Sequence, residues 1–175
     1  AHPVNSAEQE MPGGVEAPYV VAALNGDVDN HADLRAQHGL RIATPITTDA
    51  KVIPMLMSRH LGEGVAPVES FRRTVAAFEG SIAIGVATAS APSTLFLALR
   101  GSGQGLYIGL GDDCFIVASE PYGVVEETQR YVRMDGEQGG EIVMLDGAAA
   151  GELEGITRLS YDGGDLPLND EDVAH

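Results

Sequence analysis

The sequence predicts an α+β fold in which helices and strands occupy separate stretches of the chain. Between residues 31 and 78, apolar residues recur every three to four positions, as on the buried face of a helix. From residue 81 onward, short apolar runs alternate with Gly, Ser, Pro and Asp, which is typical of strands joined by tight turns. With 175 residues, of which 44% are hydrophobic, the chain is long enough to bury a core as one domain.

The first 18 residues are rich in Pro, Gly and Glu and predict a loop. Tyr19–Leu24 is a short apolar run that predicts a buried strand, and Asn25-Gly26 directly after it predicts a turn. The sequence DNHADLRAQHG then predicts a helix that ends at Gly39. Arg41–Thr44 predicts a further short strand.

Two more helices are predicted before the long series of strands. Thr48 or Asp49 supplies the N-cap of the first, and Pro54 lies where a proline can kink it. The second begins near Pro67, a residue suited to the first helical turn. Its predicted buried stripe consists of the apolar residues Val68, Phe71, Val75 and Phe78.

The remainder of the chain predicts antiparallel strands at close spacing. The runs are SIAIGVATA, TLFLALR, GLYIGLG, CFIVASE, RYVRMD, GEIVMLD and GITRLSYDG. EPYGVVEET, between the fourth and fifth runs, predicts one helical turn. We expect a domain over residues 1–161, followed by an acidic tail or linker over residues 162–175.

Charge and composition exclude several classes of partner. The chain has 26 acidic residues against 10 Lys and Arg, a net charge of −16, so it offers no basic surface for nucleic acid or anionic membranes. The uncharged run Ser81–Leu99 contains Gly85 and Pro92, which predict two strands around a turn rather than a membrane span. The N-terminal residues predict no signal peptide. A single cysteine, Cys114, is consistent with a reducing cytoplasm.

Common catalytic and cofactor motifs are absent from the sequence, and we predict neither a metal site nor a cofactor. The glycine-rich segment Arg100–Gly105 leads into a strand instead of a helix, so it predicts a tight turn rather than a phosphate site. Cys114 follows two acidic residues, which do not favour a reactive thiolate. Asn25-Gly26 offers a side-chain amide and a backbone N–H together, as an oxyanion hole requires, although most such pairs are ordinary turns.

Several motifs, taken in chain order, resemble one known family. AHP resembles N-A-H-P-H, and YVVAALNGDVDNHADLR resembles V-V-V-H-N-G-I-I-E-N-Y-x-x-L-R. ITTDAKVI resembles S-E-T-D-T-E-V-I, FEGSIAIGV resembles L-x-G-A-Y-A-x-x-V, and LYIGLGDDCFIVASE resembles L-V-I-G-L-G-x-x-x-x-F-I-A-S-D. These are motifs of the glutaminase (class II glutamine amidotransferase) domain of the glutamine–fructose-6-phosphate aminotransferases. The order of the motifs matches over nearly the whole chain.

The resemblance implies an Ntn-hydrolase-like αββα four-layer sandwich. It also implies hydrolysis of L-glutamine to glutamate and ammonia, which sugar-phosphate isomerase domains of the same polypeptide transfer to fructose 6-phosphate. Asn25 and Gly26 match the oxyanion hole, Asp49 matches the aspartate that holds the substrate's α-ammonium, and Thr48 and His2 match residues of the substrate pocket. A cytoplasmic homo-oligomer is expected.

The sequence also departs from the family pattern. The family's nucleophile is an N-terminal cysteine, whereas this sequence begins at Ala1, and the Arg-Trp-Ala-Thr-His-Gly motif is absent. The histidine before Asn-Gly is Leu24 here, and the glutamate of E-T-D is Thr47. We therefore expect an N-terminally incomplete glutaminase domain, with a missing segment or a partner covering a free sheet edge. Two alternatives are a nucleophile-less glutamine-binding or regulatory module, and the glutaminase domain of another class II enzyme such as amidophosphoribosyltransferase.

Overall fold

The computed structural model describes residues 2–11 and 13–175. Its strands are β1 Val4–Asn5, β2 Glu10–Met11, β3 Val15–Glu16, β4 Val20–Gly26, β5 Ile82–Thr88, β6 Thr94–Arg100, β7 Tyr107–Leu110, β8 Phe115–Ala118, β9 Tyr131–Arg133, β10 Glu141–Asp146, β11 Ile156–Leu159 and β12 Val173–Ala174. Its helices are α1 His31–Gln37, α2 Val52–Gly62, α3 Pro67–Ala76 and α4 Tyr122–Val125. Four short 3-10 turns supplement them, of which Asp49–Lys51 directly precedes α2.

The strands form two main antiparallel sheets. The large sheet has six strands in the order β1-β4-β5-β6-β10-β11, and the small sheet has four in the order β12-β9-β7-β8. Strands β4 and β5 pair along seven residues, although α1, α2 and α3 lie between them in the sequence. The two remaining strands, β2 and β3, form a separate hairpin. All the helices that precede β5 are therefore available to cover one face of the large sheet.

The first hydrophobic core lies between the helices and the large sheet. Because side chains alternate between the two faces of a strand, every second residue of β4, β5, β6 and β10 points to the helices. These inward residues are Val20, Ala22, Ile82, Ile84, Val86, Phe96, Ala98, Ile142 and Met144. They meet buried side chains of α2 and α3, and Phe71 of α3 packs on Phe96 with the ring centroids 5.4 Å apart.

The second core lies between the two sheets. Leu97, Leu99, Val143 and Leu145 point away from the helices and pack against the small sheet. That sheet contributes apolar side chains from β7 and β9, namely Ile108, Leu110 and Val132. Helix α4 packs on β7 and β8 at the outer face of the small sheet. The packing is so close that a side chain on Gly109 would collide with Val124. The layers are thus helices, sheet, sheet and helix, which confirms the predicted αββα four-layer sandwich.

The structure corrects four predictions for individual elements. Arg41–Thr44 is not a strand, because the Ile42 carbonyl accepts from the Arg35 guanidinium instead of a neighbouring strand. Asn25-Gly26 is not a turn but the end of β4. The predicted N-terminal loop contains the short strands β1, β2 and β3.

The fourth correction concerns the buried stripe of α3. Val68 is 39% exposed, whereas Phe71, Val75 and Phe78 are buried as predicted. The buried face includes Ser70 and Thr74, because the Ser70 hydroxyl donates to the Val65 carbonyl and the Thr74 hydroxyl donates to the Ser70 carbonyl. Two satisfied hydroxyl residues thus occupy positions that apolar periodicity cannot identify.

Residues 162–175 contact the preceding strands in the structure. Leu159 bridges to Asp165, and β12 pairs with β9. Arg158 donates to the carbonyls of Leu166 and Pro167. The domain boundary at residue 161 stays a prediction. None of the helices in residues 2–11 and 13–175 combines the length and the apolar character that a membrane span requires.

Candidate functional site

The candidate site is built around the C-terminal end of β4, where Asn25 and Gly26 pair with Ala83 and Ile82 of β5. The antiparallel ladder continues past the strand, since the Asp27 N–H donates to the Ser81 carbonyl at 3.0 Å and the Asp29 N–H donates to the Glu79 carbonyl at 2.9 Å. The site is therefore held by a central strand rather than by a mobile turn.

The pairing pattern fixes the direction of the Gly26 N–H. Successive N–H groups of an extended strand point to opposite sides. The N–H groups of Asp27 and Asp29 point to β5, so those of Gly26 and Val28 point to the other side of β4. On that side β1 pairs with Val21 and Ala22 of β4 and stops short of Gly26. The Gly26 N–H is thus directed toward a region that β1 does not cover.

Asp49 lies on this same side of β4. Its Oδ2 accepts from the Val28 N–H at 2.7 Å, and its Oδ1 accepts from the Ala50 N–H at 2.9 Å. Asp49 is half-buried at the start of the 3-10 turn Asp49–Lys51. A carboxylate has acceptor capacity for about four hydrogen bonds, so two positions remain for a ligand cation. The prediction that Thr48 or Asp49 caps the helix is wrong, because Lys51 is the N-cap residue of α2 and neither Thr48 nor Lys51 makes a side-chain cap hydrogen bond. The Asp49 carboxylate instead joins the helical layer to the end of β4 through Val28.

The Asn25 side chain points away from the helices, to the face of the large sheet that meets the small sheet. It is exposed and lines an apolar slot of about 250 Å³. Other walls of the slot come from β5, β6 and the C-terminal end of β8, including Ala83, Leu97, Val117 and Ser119. Strand β8 is an outer strand of the small sheet, and its second edge has no partner strand among the described residues.

Thr48 and His2 are further from the end of β4. Thr48 is half-buried and lines a separate cavity of about 380 Å³. At the wall of this cavity the buried Lys51 ammonium donates to the Asn5 carbonyl and to Glu8 Oε2, both at 2.5 Å. The hydrogen bond from the Lys51 ammonium lowers the pKa of the Glu8 carboxyl. His2 is exposed and precedes β1 at the edge of the large sheet. The structure therefore places Gly26 and Asp49 on one side of β4, directs the Asn25 side chain toward the small sheet, and leaves Thr48 and His2 at the periphery.

Sequence reasoning missed two contacts at the site. Ser81 accepts the Asp27 N–H through its carbonyl, and Gln104 lies beside Gly26. Gln104 belongs to the glycine-rich segment that the sequence identifies only as a tight turn. The available signal was the concentration of glycines directly after β6, but nothing in the sequence indicates which strand end the turn approaches.

Curated proteins with similar sequences share one name. The glutamine–fructose-6-phosphate aminotransferase [isomerizing] of Bacillus subtilis is 31% identical over 140 residues, which cover 78% of this chain and 23% of that protein. The protein of the same name from Geobacillus kaustophilus is 32% identical over 114 residues, covering 65% of this chain and 19% of that protein. The chain thus spans less than a quarter of the length of these relatives. No model of a protein family matches the sequence.

Two solved structures share the fold. One, of the allosteric regulatory enzyme of purine biosynthesis, has a TM-score of 0.64 at 22% identity and covers 87% of this chain and 30% of its own. The other, of glutamine phosphoribosylpyrophosphate amidotransferase from B. subtilis with ADP and GMP, has a TM-score of 0.61 at 21% identity and covers 92% of this chain and 31% of its own. The chain belongs to the family of the glutamine–fructose-6-phosphate aminotransferases, of which it spans a part, and it shares the fold of these two solved structures.

Proposed function

We propose that this chain is the main body of a glutamine-hydrolysing domain that supplies ammonia to a sugar-phosphate aminotransferase acting on fructose 6-phosphate. Isomerase domains of the same polypeptide, in a cytoplasmic homo-oligomer, would use the ammonia. The observation that carries the proposal is the placement of the Gly26 N–H and the Asp49 carboxylate on one side of β4. The names of the sequence relatives support the sugar-phosphate acceptor over the phosphoribosyl one.

The spacing of these groups fits a bound glutamine. The N–H groups of Gly26 and Val28 are two residues apart, hence roughly 7 Å along an extended strand. The α-nitrogen and side-chain oxygen of an extended glutamine are joined by five bonds of about 1.5 Å, which span about 6 Å. A glutamine lying along β4 therefore places its ammonium at Asp49 and its amide oxygen at Gly26.

Each group then has a chemical role in amide hydrolysis. Attack on the amide carbon gives a tetrahedral intermediate with a negative oxygen, which the Gly26 N–H and the Asn25 side-chain amide stabilise by hydrogen bonds. Asp49 accepts a charge-assisted hydrogen bond from the α-ammonium, which selects a free amino acid over a glutamine within a peptide. Thr48, which lines a separate cavity, and His2 are proposed to act from the periphery of the site.

The nucleophile of the reaction is proposed to come from another segment of the polypeptide. Cys114 precedes β8 and packs at Gly111, whereas the slot beside Asn25 lies at the other end of that strand. An extended segment that pairs with the free edge of β8 would enter the slot and approach Asn25. Backbone pairing with an exposed strand edge is an established mode of peptide recognition.

The test is Asp49→Asn in the full-length protein. An asparagine oxygen still accepts the Val28 N–H, which retains the fold, whereas the NH2 group cannot accept the Ala50 N–H, and the charge that binds the α-ammonium is lost. We expect this variant to lose glutaminase activity, measured as glutamate release, with a melting temperature lowered by only about 2–4 °C, as the loss of one hydrogen bond predicts. The exposed Asp113→Asn is the control and keeps full activity. An active Asp49→Asn variant would contradict the assignment.

A second candidate is a glutamine-binding module that does not hydrolyse its ligand. It is favoured by the lack of an activated nucleophile among the described side chains that line the slot. Calorimetric titration of the full-length protein with L-glutamine separates the two functions. Binding without glutamate release supports the module, whereas release supports the enzyme.

A further inference from the structure

The glycine-rich segment Arg100–Gly105 approaches the candidate site from the second sheet. It connects β6 of the large sheet to β7 of the small sheet, so it crosses between the two layers. It also lines a polar cavity of about 680 Å³ together with residues 133–137. The Gly101 N–H donates to the Gly136 carbonyl at 2.9 Å, which anchors the first part of the segment.

Gly26 packs directly against this region because it has no side chain. Its φ of +111° is in the region that favours glycine. A Cβ on residue 26 would lie 2.1 Å from the Ser81 carbonyl oxygen and 3.4 Å from Gln104 Nε2. The Ser81 carbonyl, just before β5, therefore leaves no room for a side chain at residue 26, and Gln104 of the glycine-rich segment lies next to that position.

Ser81 joins these two constraints. Its carbonyl accepts the Asp27 N–H, next to Gly26, at 3.0 Å. Its hydroxyl donates to the Ser102 carbonyl at 2.6 Å, within the glycine-rich segment. Gly101 allows the close approach, since a Cβ there would lie 2.8 Å from the Ser81 hydroxyl. One half-buried serine therefore contacts both the end of β4 and the segment that carries Gln104.

We propose that Ser81 is a positioning residue for the oxyanion-stabilising peptide of Gly26. This inference rests on the proposed glutaminase function. The hydroxyl of Ser81 holds the glycine-rich segment in place, and the segment in turn holds Gln104 against Gly26. Pairing with β5 sets the direction of the Gly26 N–H, and the anchored segment beside it limits its movement, so that the donor needs no reorganisation during the reaction.

Alanine is the conservative replacement for Ser81. The motif FEGSIAIGV resembles the family pattern L-x-G-A-Y-A-x-x-V, in which alanine stands where this chain has Ser81. Replacing Ser81 by alanine is therefore compatible with the fold and removes only the hydroxyl. The loss of the hydrogen bond to Ser102 leaves a segment with three glycines, Gly101, Gly103 and Gly105, free to sample other conformations.

The experiment compares Ser81→Ala with Ser102→Ala in the full-length protein. Ser102 contributes its backbone carbonyl, which alanine retains, so Ser102→Ala is the matched control. We expect Ser81→Ala to lower kcat for glutamine hydrolysis about tenfold, less than the roughly 10²–10³-fold loss on removing an oxyanion donor itself. KM changes less than about twofold, because Asp49 is untouched. Hydrogen exchange in residues 101–105 increases for Ser81→Ala and is unchanged for Ser102→Ala.

The outcomes separate this inference from the proposed function. Unchanged exchange in residues 101–105 of Ser81→Ala overturns the role of the hydroxyl, whatever the activity. Increased exchange with an unchanged kcat overturns the positioning role, as does an equal loss of kcat in Ser102→Ala. A wild-type protein that hydrolyses no glutamine refutes the proposed function, and the positioning role with it, while the exchange data still report on the contact itself.

Discussion

The two faces of the large sheet differ in how completely they are covered. On the helix face, buried side chains from every strand between β4 and β10 meet α2 and α3 in one continuous core. On the opposite face, the small sheet covers β6 and β10 but leaves the inner side of β4 open at the slot. The candidate site lies at the boundary between the covered and the open part. We therefore expect stability to depend on the helix face and the proposed glutaminase function to depend on the open face.

Strand β4 shows the difference within neighbouring residues. Val20 and Ala22 point to the helices and are at most 1% exposed, whereas Ala23 and Asn25 point to the other face and are exposed. The helix face, which we call the closed face, can specify the position of β4 without contacts from the ligand site. The open face can then present Asn25 to a substrate or to a further segment at little cost in core packing.

Substitutions on the closed face should lower the free energy of unfolding most. Phe71 is fully buried and packs on Phe96, so Phe71→Ala leaves a cavity between α3 and the large sheet. We expect a loss of about 3–5 kcal/mol in the free energy of unfolding, measured by chemical denaturation. Tyr122→Ala is the control on the outer side of the small sheet, where the side chain is 81% exposed, and changes stability by less than about 0.5 kcal/mol. Similar losses for the two variants would refute a stability concentrated in the helix-face core.

A smaller effect distinguishes adjacent residues of β4. Ala22→Leu forces three additional carbons into a packed core, and we expect it to lower the free energy of unfolding by about 1–3 kcal/mol. Ala23→Leu places the same side chain in the open slot and changes the stability of this 175-residue chain by less than about 0.5 kcal/mol. In the full-length protein, Ala23→Leu obstructs the slot beside Asn25 and lowers glutaminase activity. Equal destabilisation by both substitutions would show that the slot is closed in solution.

The sequence predicts the closed face better than the open one. The periodicity of α3 and the strong apolar runs of β5, β6 and β10 identify their elements, because burial on the helix side repeats at the period of each element. The prediction of a strand at Arg41–Thr44 is wrong, because a run of four residues has too little pattern to distinguish a strand from an extended loop. The prediction of a turn at Asn25-Gly26 is wrong for another reason. Pairing with β5 extends β4 through these residues, and β5 is more than fifty residues away in the chain.

For the site, the resemblance identifies residues but not their contacts. Asn25, Gly26 and Asp49 were predicted from motifs, and the structure brings them to one strand end. The bond from the Val28 N–H to Asp49 and the approach of Ser81 to Gly26 depend on register and on a loop between sheets. Neither has a local sequence signature, because each joins segments that are distant in the chain.

The weakest of the predicted effects concerns Glu141, at the covered end of the layer between the two sheets. Glu141 of β10 points between the sheets, where it accepts from the Asp135 N–H at 3.1 Å and contacts Arg158 at 3.4 Å. Burial raises the pKa of Glu141 above its usual value of 4.5, despite these partners. A raised pKa in the folded state means that the protonated form is favoured by folding, so this stabilisation is present at low pH and is lost as the pH rises past 4.5.

Glu141→Gln is neutral throughout, and its free energy of unfolding relative to wild type should therefore increase as the pH rises from 4 to 7. The exposed Glu137→Gln controls for the loss of one carboxylate. Parallel curves for Glu141→Gln and wild type would mean that Glu141 is hydrated, and that the open region of the inter-sheet layer extends to β10.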